Sequence, residues 1–145
     1  MIIIAGGIKG GSGKTTVATN LAVIRAGQGR DVLLVDADDQ ETATDFTNLR
    51  NERGEGTAQY TGIKLTGAAV RTEILRLAPK YQDIIIDTGG RDTSSQRAAL
   101  SVADVLLVPF GVYSRNGKNR TPRKVILEKS GTWHIAGQKP EPEER

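Results

Sequence analysis

Gly13, Lys14 and Thr15 are the residues of this 145-residue chain best suited to chemistry. They close the string Lys9-Gly10-Gly11-Ser12-Gly13-Lys14-Thr15-Thr16. We read it against the phosphate-loop pattern Gly-x-x-x-x-Gly-Lys-Thr, taking Gly7 as the leading glycine. Glycines let consecutive backbone N–H groups point inward without Cβ clashes, forming a nest for phosphate oxygens. The loop follows an apolar strand and opens a periodic helix, whose dipole favours negative charge at its start. In that setting Lys14 reaches the β- and γ-phosphates and the Thr15 hydroxyl completes a magnesium shell. A glycine-rich turn without a ligand is the plain alternative, and the helix-opening context outweighs it. The string points to ATP or ADP held with Mg2+ by Gly10, Gly11, Ser12, Gly13, Lys14, Thr15 and Thr16.

Two acids stand in matching places. Asp36 follows the apolar run 32–35, and Asp87 follows the run 84–86. Either residue could be a helix cap or a solvated side chain. Their position after all-apolar strands favours the ligand-binding edge of a sheet.

These residues need a scaffold that gathers strand ends. Apolar strands are expected at 2–5, 31–35, 83–87 and 105–110, with a weaker one at 62–65. Helices are expected at 15–28, 41–53, 67–78 and 92–103, because apolar residues recur there at helical spacing. Val17, Leu21 and Ile24 mark the first helix, and Phe46 and Leu49 the inner face of the second. Apolar strands alternating with helices predict an α/β fold: a doubly wound, mostly parallel sheet in three α/β/α layers, of the P-loop NTPase type. Right-handed crossovers bring the strand C-termini to one edge.

Composition narrows the classes. With 37% hydrophobic residues the chain fits one domain. It has no cysteine, which excludes disulfides, thiolate metal sites and a cysteine nucleophile, and suits a cytoplasmic protein. No stretch approaches the roughly 18 apolar residues of a membrane span, and the apolar start lacks the basic lead-in of a signal peptide. Net charge is +3, unevenly spread. Residues 1–110 carry 12 basic and 13 acidic side chains, and residues 111–145 carry 8 and 4. Periodicity fades after Phe110, and 125–127 is a lone apolar triplet. We therefore expect a P-loop domain over 1–110 and a loosely attached basic tail over 111–145.

Lys9-Gly10-Gly11-Ser12-Gly13-Lys14-Thr15-Thr16 resembles the deviant Walker motif of ParA/MinD-type ATPases, which is distinguished by a second lysine, here Lys9. The segment 36–40, Asp-Ala-Asp-Asp-Gln, resembles that family's Asp-x-Asp-x-Gln switch, and 84–90 resembles its Walker B strand. The resemblance implies that Lys9 crosses the interface of an ATP-dependent homodimer to the other subunit's phosphates. It implies that Asp36 and Asp87 serve the magnesium shell, that Asp38 positions the attacking water, and that the Gly90 N–H senses the γ-phosphate. Asp39 stands where many members carry proline, which predicts a looser turn. The likeness covers residues 1–110, and the departure after Phe110 suggests a truncated or frame-shifted product that is C-terminally incomplete.

By resemblance the chain is an ATPase acting in plasmid or chromosome partitioning. It would bind DNA without sequence preference and answer to a ParB-like centromere-binding partner. Absent cysteine argues against the iron–sulfur branch of the family. The Pro- and Glu-rich end is no amphipathic helix, which argues against a membrane partner. Two other classes stay open: a small-molecule kinase or ligase on the same fold, and a nucleotide-binding remnant without activity.

Overall fold

A computed structural model describes residues 1–7, 10–53, 59–113, 119–128 and 133–135, those from 110 onward as backbone. The expected strands and helices are present, most with ends shifted by one to three residues. Their order is β1 (Ile2–Ala5), α1 (Lys14–Gly27), β2 (Val32–Ala37), α2 (Thr42–Glu52), β3 (Thr61–Lys64), α3 (Ala69–Leu77), β4 (Asp83–Thr88), α4 (Ser94–Leu100), β5 (Val105–Tyr113), β6 (Asn119–Glu128) and β7 (Trp133–Ile135). A 3-10 turn carrying Pro79 ends α3.

The sheet order is β3-β2-β4-β1-β5-β6-β7. The first five strands are mutually parallel. Buried strands alternate their side chains between two cores. Ile4, Leu33, Val35, Ile84 and Ile86 meet Val70 and Ile74 of α3 and Ala99 of α4 on one face. Ala5, Val32, Leu34 and Ile85 meet α1 and Ala43 of α2 on the other. This is the expected three-layer, doubly wound arrangement.

The inner helix faces differ from the sequence reading. In α1 the buried stripe is Ala18, Ala22 and Ala26, while Ile24 is 56% exposed. In α2 it is Ala43 and Thr47, while Leu49 is exposed. Small residues let these helices approach the sheet closely, and spacing of the large apolar residues could not reveal that.

The C-terminal part also differs from the expected tail. β5 runs past Phe110 to Tyr113, and β6 pairs with it antiparallel, with Leu127, Ile126 and Val125 opposite Leu106, Leu107 and Val108. β7 adds a further antiparallel strand. The apolar triplet looked isolated because its partner lies about twenty residues earlier and local periodicity does not report long-range pairing. The remainder of 111–145 lies outside the described residues.

At the sheet end opposite the phosphate loop, Asp83 opens β4 fully buried. It accepts hydrogen bonds from the guanidinium groups of Arg25, at the end of α1, and Arg30. Burial alone would raise the Asp83 pKa, but the bonds from Arg30 and Arg25 and their charges hold it below its ordinary value.

Candidate functional site

The phosphate loop joins β1 to α1. Gly11 (φ +68°) and Gly13 (φ +88°) adopt left-handed backbone, which glycine alone takes without penalty. Gly13 is the N-cap of α1 and offers no side-chain oxygen to the first turn. The first N–H groups of that helix are therefore left for a ligand. Lys14 is 6% exposed, its ammonium donating to Ser12 Oγ at 3.4 Å. The leading glycine needs a correction. Counting back from Lys14 places it at residue 8, which is isoleucine, so Gly7 stands one residue early. The match rests on Lys-Gly-Gly at the start and Gly-Lys-Thr at the close. Ile8 and Lys9 lie outside the described residues.

Sheet register collects the acids. Asp36 of β2 pairs with Asp87 of β4, and Asp87 pairs with Ala5 of β1, immediately before the loop. Asp36 is 2% exposed, and its carboxylate is already engaged. One oxygen accepts the Asp38 N–H at 3.1 Å, and the other accepts the Thr44 N–H and hydroxyl, each at 2.8 Å. Asp36 thus caps α2 from outside, because the helix's own N-cap, Glu41, makes no side-chain cap and sits at φ 56°. The plain capping role and the ligand-edge position coexist in this residue.

Asp87 is different. It is fully buried, and neither carboxylate oxygen has a hydrogen-bond partner within 3.5 Å, so the Thr15 hydroxyl acts on it only from beyond that distance. Burial pushes its pKa up to about 7; the Thr15 hydroxyl and Lys14 pull it down, and the charges of Asp36 and Asp38 add to the rise. An orphaned buried carboxylate beside a threonine hydroxyl fits a divalent cation. Among the described residues no cluster of three or more His, Cys, Asp or Glu side chains could hold a metal unaided. Such an ion would take Thr15, Asp87 and phosphate or water oxygens, as magnesium does beside nucleotides.

Asp38 reaches the same place from β2. Its Oδ1 accepts the Gln40 N–H at 3.2 Å, and its carbonyl accepts the Glu41 N–H at 3.2 Å, so the turn expected to be loose is closed. A Cβ built on Gly89 would lie 2.9 Å from Asp38 Oδ1, so only glycine there leaves the carboxylate its position. A cleft of about 780 Å³ is bounded by residues 10–16, by Asp38, Asp39, Gln40 and Thr42, and by Gly89, Gly90, Arg91 and Thr93. It matches the size of small-molecule sites. Every loop residue expected to bind nucleotide lines it, as do Asp38 and Gly90, while Asp36 and Asp87 are buried and are not among its lining residues.

The sequence assigns no role to Thr44 or Gln96, and it includes Gly89 only as part of the segment 84–90. For Gln96 a signal was available: Thr93-Ser94-Ser95-Gln96 has capping-box spacing. Thr93 Oγ1 does accept the Gln96 N–H at 3.1 Å. The Gln96 side chain does not return to Thr93. With its amide set to satisfy its neighbours, it donates to the Arg91 carbonyl at 2.7 Å and accepts the Gly7 N–H at 3.2 Å.

The model of the CobQ/CobB/MinD/ParA nucleotide-binding domain matches residues 2–126. The chromosome-partitioning ATPase Soj of Thermus thermophilus is 38% identical over 93 residues, covering 62% of this chain and 37% of Soj. The maintenance of carboxysome distribution protein A of Gloeobacter kilaueensis is 37% identical over 102 residues, 70% of this chain and 44% of that protein. This chain therefore matches less than half the length of either relative. Among solved structures, a plasmid partition protein of Borrelia burgdorferi superposes with TM-score 0.61 at 20% identity, over 74% of this chain and 64% of the other. Apo McdA of Cyanthece gives 0.63 at 24% identity, over 80% and 59%. These two show the shared fold. Among the described residues no helix is long and apolar enough to cross a membrane.

Proposed function

Because the chain belongs to the CobQ/CobB/MinD/ParA nucleotide-binding family, we propose that it is a ParA-like partitioning ATPase that binds ATP with Mg2+, dimerises on doing so, and engages DNA without sequence preference. The observation that carries this reading is Asp87: a buried carboxylate with two unpartnered oxygens, one strand from the phosphate loop. Lys14 and the first turn of α1 hold the phosphates, with Gly90 on the opposite wall. Thr15 and Asp87 take the cation, and Asp36 supports it from the neighbouring strand. Magnesium beside the β- and γ-phosphates supplies charge neutralisation during transfer. Asp38, fixed by its turn and by Gly89, orients the water. Lys9 of each subunit reaches the nucleotide of the other. A ParB-like protein at the partition site is the partner that stimulates turnover. One named relative partitions chromosomes and another distributes carboxysomes, so the cargo is a plasmid, a chromosome or another large body.

The test is calorimetry of ATP and ADP with Mg2+ on the full chain and on Lys14→Ala, followed by ATP turnover with and without DNA. The parent should bind both nucleotides. The variant should lose about 3–5 kcal/mol, because a triphosphate in the cleft loses its chief counter-charge. Unchanged affinity in Lys14→Ala would sink the assignment. The partial span of the relatives favours one second reading, a nucleotide-binding piece without turnover. Binding with no hydrolysis under any condition selects it.

A further inference from the structure

Arg91 is a second cation of the same cleft. It is exposed, lines the cleft together with the phosphate loop, and forms no ion pair among the described residues. Its acidic neighbour Asp92 is engaged instead by Arg97, at 2.8 Å. The backbone beneath Arg91 is held. Gln96, 6% exposed, donates to the Arg91 carbonyl and with its other end accepts the N–H of Gly7, at the entry to the loop. Thr88 adds a parallel tie, its hydroxyl donating to the Ala5 carbonyl at 3.1 Å. The strand–loop segment that carries Arg91 is thus braced twice against the segment that enters the phosphate loop.

Charge gives the arrangement a purpose. The charged side chains described around the cleft are Lys14, Arg91, Asp38 and Asp39. Without Arg91, Lys14 would be left as the one described cation around the cleft to offset Asp38, Asp39 and a bound polyphosphate. The segment 89–91 continues β4 directly from Asp87, so it borders the metal end of the phosphate chain, where the β- and γ-groups lie. A guanidinium matches phosphate oxygens bidentately, and does so best from a fixed backbone.

We propose that Arg91 contacts the terminal phosphate of a bound nucleoside triphosphate from within its own subunit, and that Gln96 is the positioning residue that sets its loop against the phosphate loop. The proposal rests on the nucleotide-binding reading above. It makes the chain discriminate triphosphate from diphosphate at Arg91 separately from Lys14, which serves both.

The experiment measures dissociation constants for ADP and for a non-hydrolysable ATP analogue, each with Mg2+, on the full chain by calorimetry. Arg91→Ala should weaken the analogue about 10- to 100-fold, as expected for loss of a charge-assisted hydrogen bond, and leave ADP within about twofold. Arg91→Lys should recover part of that loss. Gln96→Ala, which keeps the guanidinium but frees its loop, should shift the ratio in the same direction by less. Equal losses for both nucleotides, or no loss, would overturn the role of Arg91. A Gln96→Ala chain with the parent ratio would overturn the positioning role. A parent that binds neither nucleotide refutes the nucleotide-binding reading itself, and this proposal with it.

Discussion

Replacing Asp87 by asparagine removes charge from a fully buried side chain that has no hydrogen-bond partner on either oxygen. Burial, with Asp36 and Asp38 adding like charge, raises this carboxyl from the ordinary 3.8 to about 7, against the pull of the Thr15 hydroxyl and Lys14. The folded state therefore holds the proton more tightly than the unfolded state. Its stabilising effect is complete below the unfolded value and is lost as pH rises through about 7. At about 1.36 kcal/mol for each pKa unit, the full loss is about 4 kcal/mol, of which about 2–3 kcal/mol falls between about pH 5 and about pH 8. Asparagine cannot ionise and lacks this slope. Without nucleotide, Asp87→Asn should gain about 2–3 kcal/mol on the parent over that range, read from denaturant midpoints. With ATP and Mg2+ the ranking should reverse at the higher pH, because the cation supplies the partner the carboxylate lacks. A stability difference that does not move with pH would refute the buried, unpartnered state of Asp87 and the metal-side reasoning built on it.

Lys9→Ala should leave folding and ADP binding nearly intact and remove ATP-dependent dimerisation; sedimentation with a non-hydrolysable ATP analogue checks this, and equal dimer content refutes a role in trans. Asp38→Ala should keep ATP bound and stop turnover. Gly89→Ala should imitate it, since the new Cβ would meet Asp38 Oδ1 at 2.9 Å; normal hydrolysis in either variant counts against Asp38 as the water-positioning group. Deleting residues from Gly111 onward should leave a recognisable circular dichroism spectrum, because the two cores as described are assembled from residues 2–106. Unfolding on that deletion would show that β6 completes the core.

Much of the site was legible because its requirements are local. A phosphate nest needs glycines at set positions, and Gly10, Gly11 and Gly13 are visible as letters, although the leading glycine of the pattern is absent because position 8 is isoleucine. Asp36 and Asp87 could be placed on one edge because parallel strands with helical crossovers leave no other arrangement. What escaped depends on contacts between distant segments. Asp36 looked like a free metal ligand, yet it is bound to Thr44, eight residues on. Gln96 carried a capping signal, but its amide serves Gly7, far away in the chain. The inner face of α1 was misjudged because helical spacing identifies apolar residues without telling how near the sheet will come. β6 was missed because pairing with a strand about twenty residues earlier leaves little trace in either strand alone.

The Arg25–Asp83 pair is not among the residues lining the cleft, yet it joins the two elements that carry the proposed cation-side residues. α1 and β4 are both pinned there, one through Arg25 and the other through Asp83. From that joint they run to the opposite edge of the sheet, where α1 presents Lys14 and Thr15 and β4 presents Asp87. They resemble the legs of a drawing compass, with the hinge at Asp83 and the points at Thr15 and Asp87. From Arg25 to Lys14 the helix spans roughly 16 Å at 1.5 Å per residue. A tilt of a few degrees at the hinge would therefore move the points apart by about an ångström, a large change for a cation held at close to 2 Å. On the proposed reading, loosening the hinge, as in Arg25→Ala, would lower Mg2+ affinity although Arg25 touches none of the groups proposed to hold the ion.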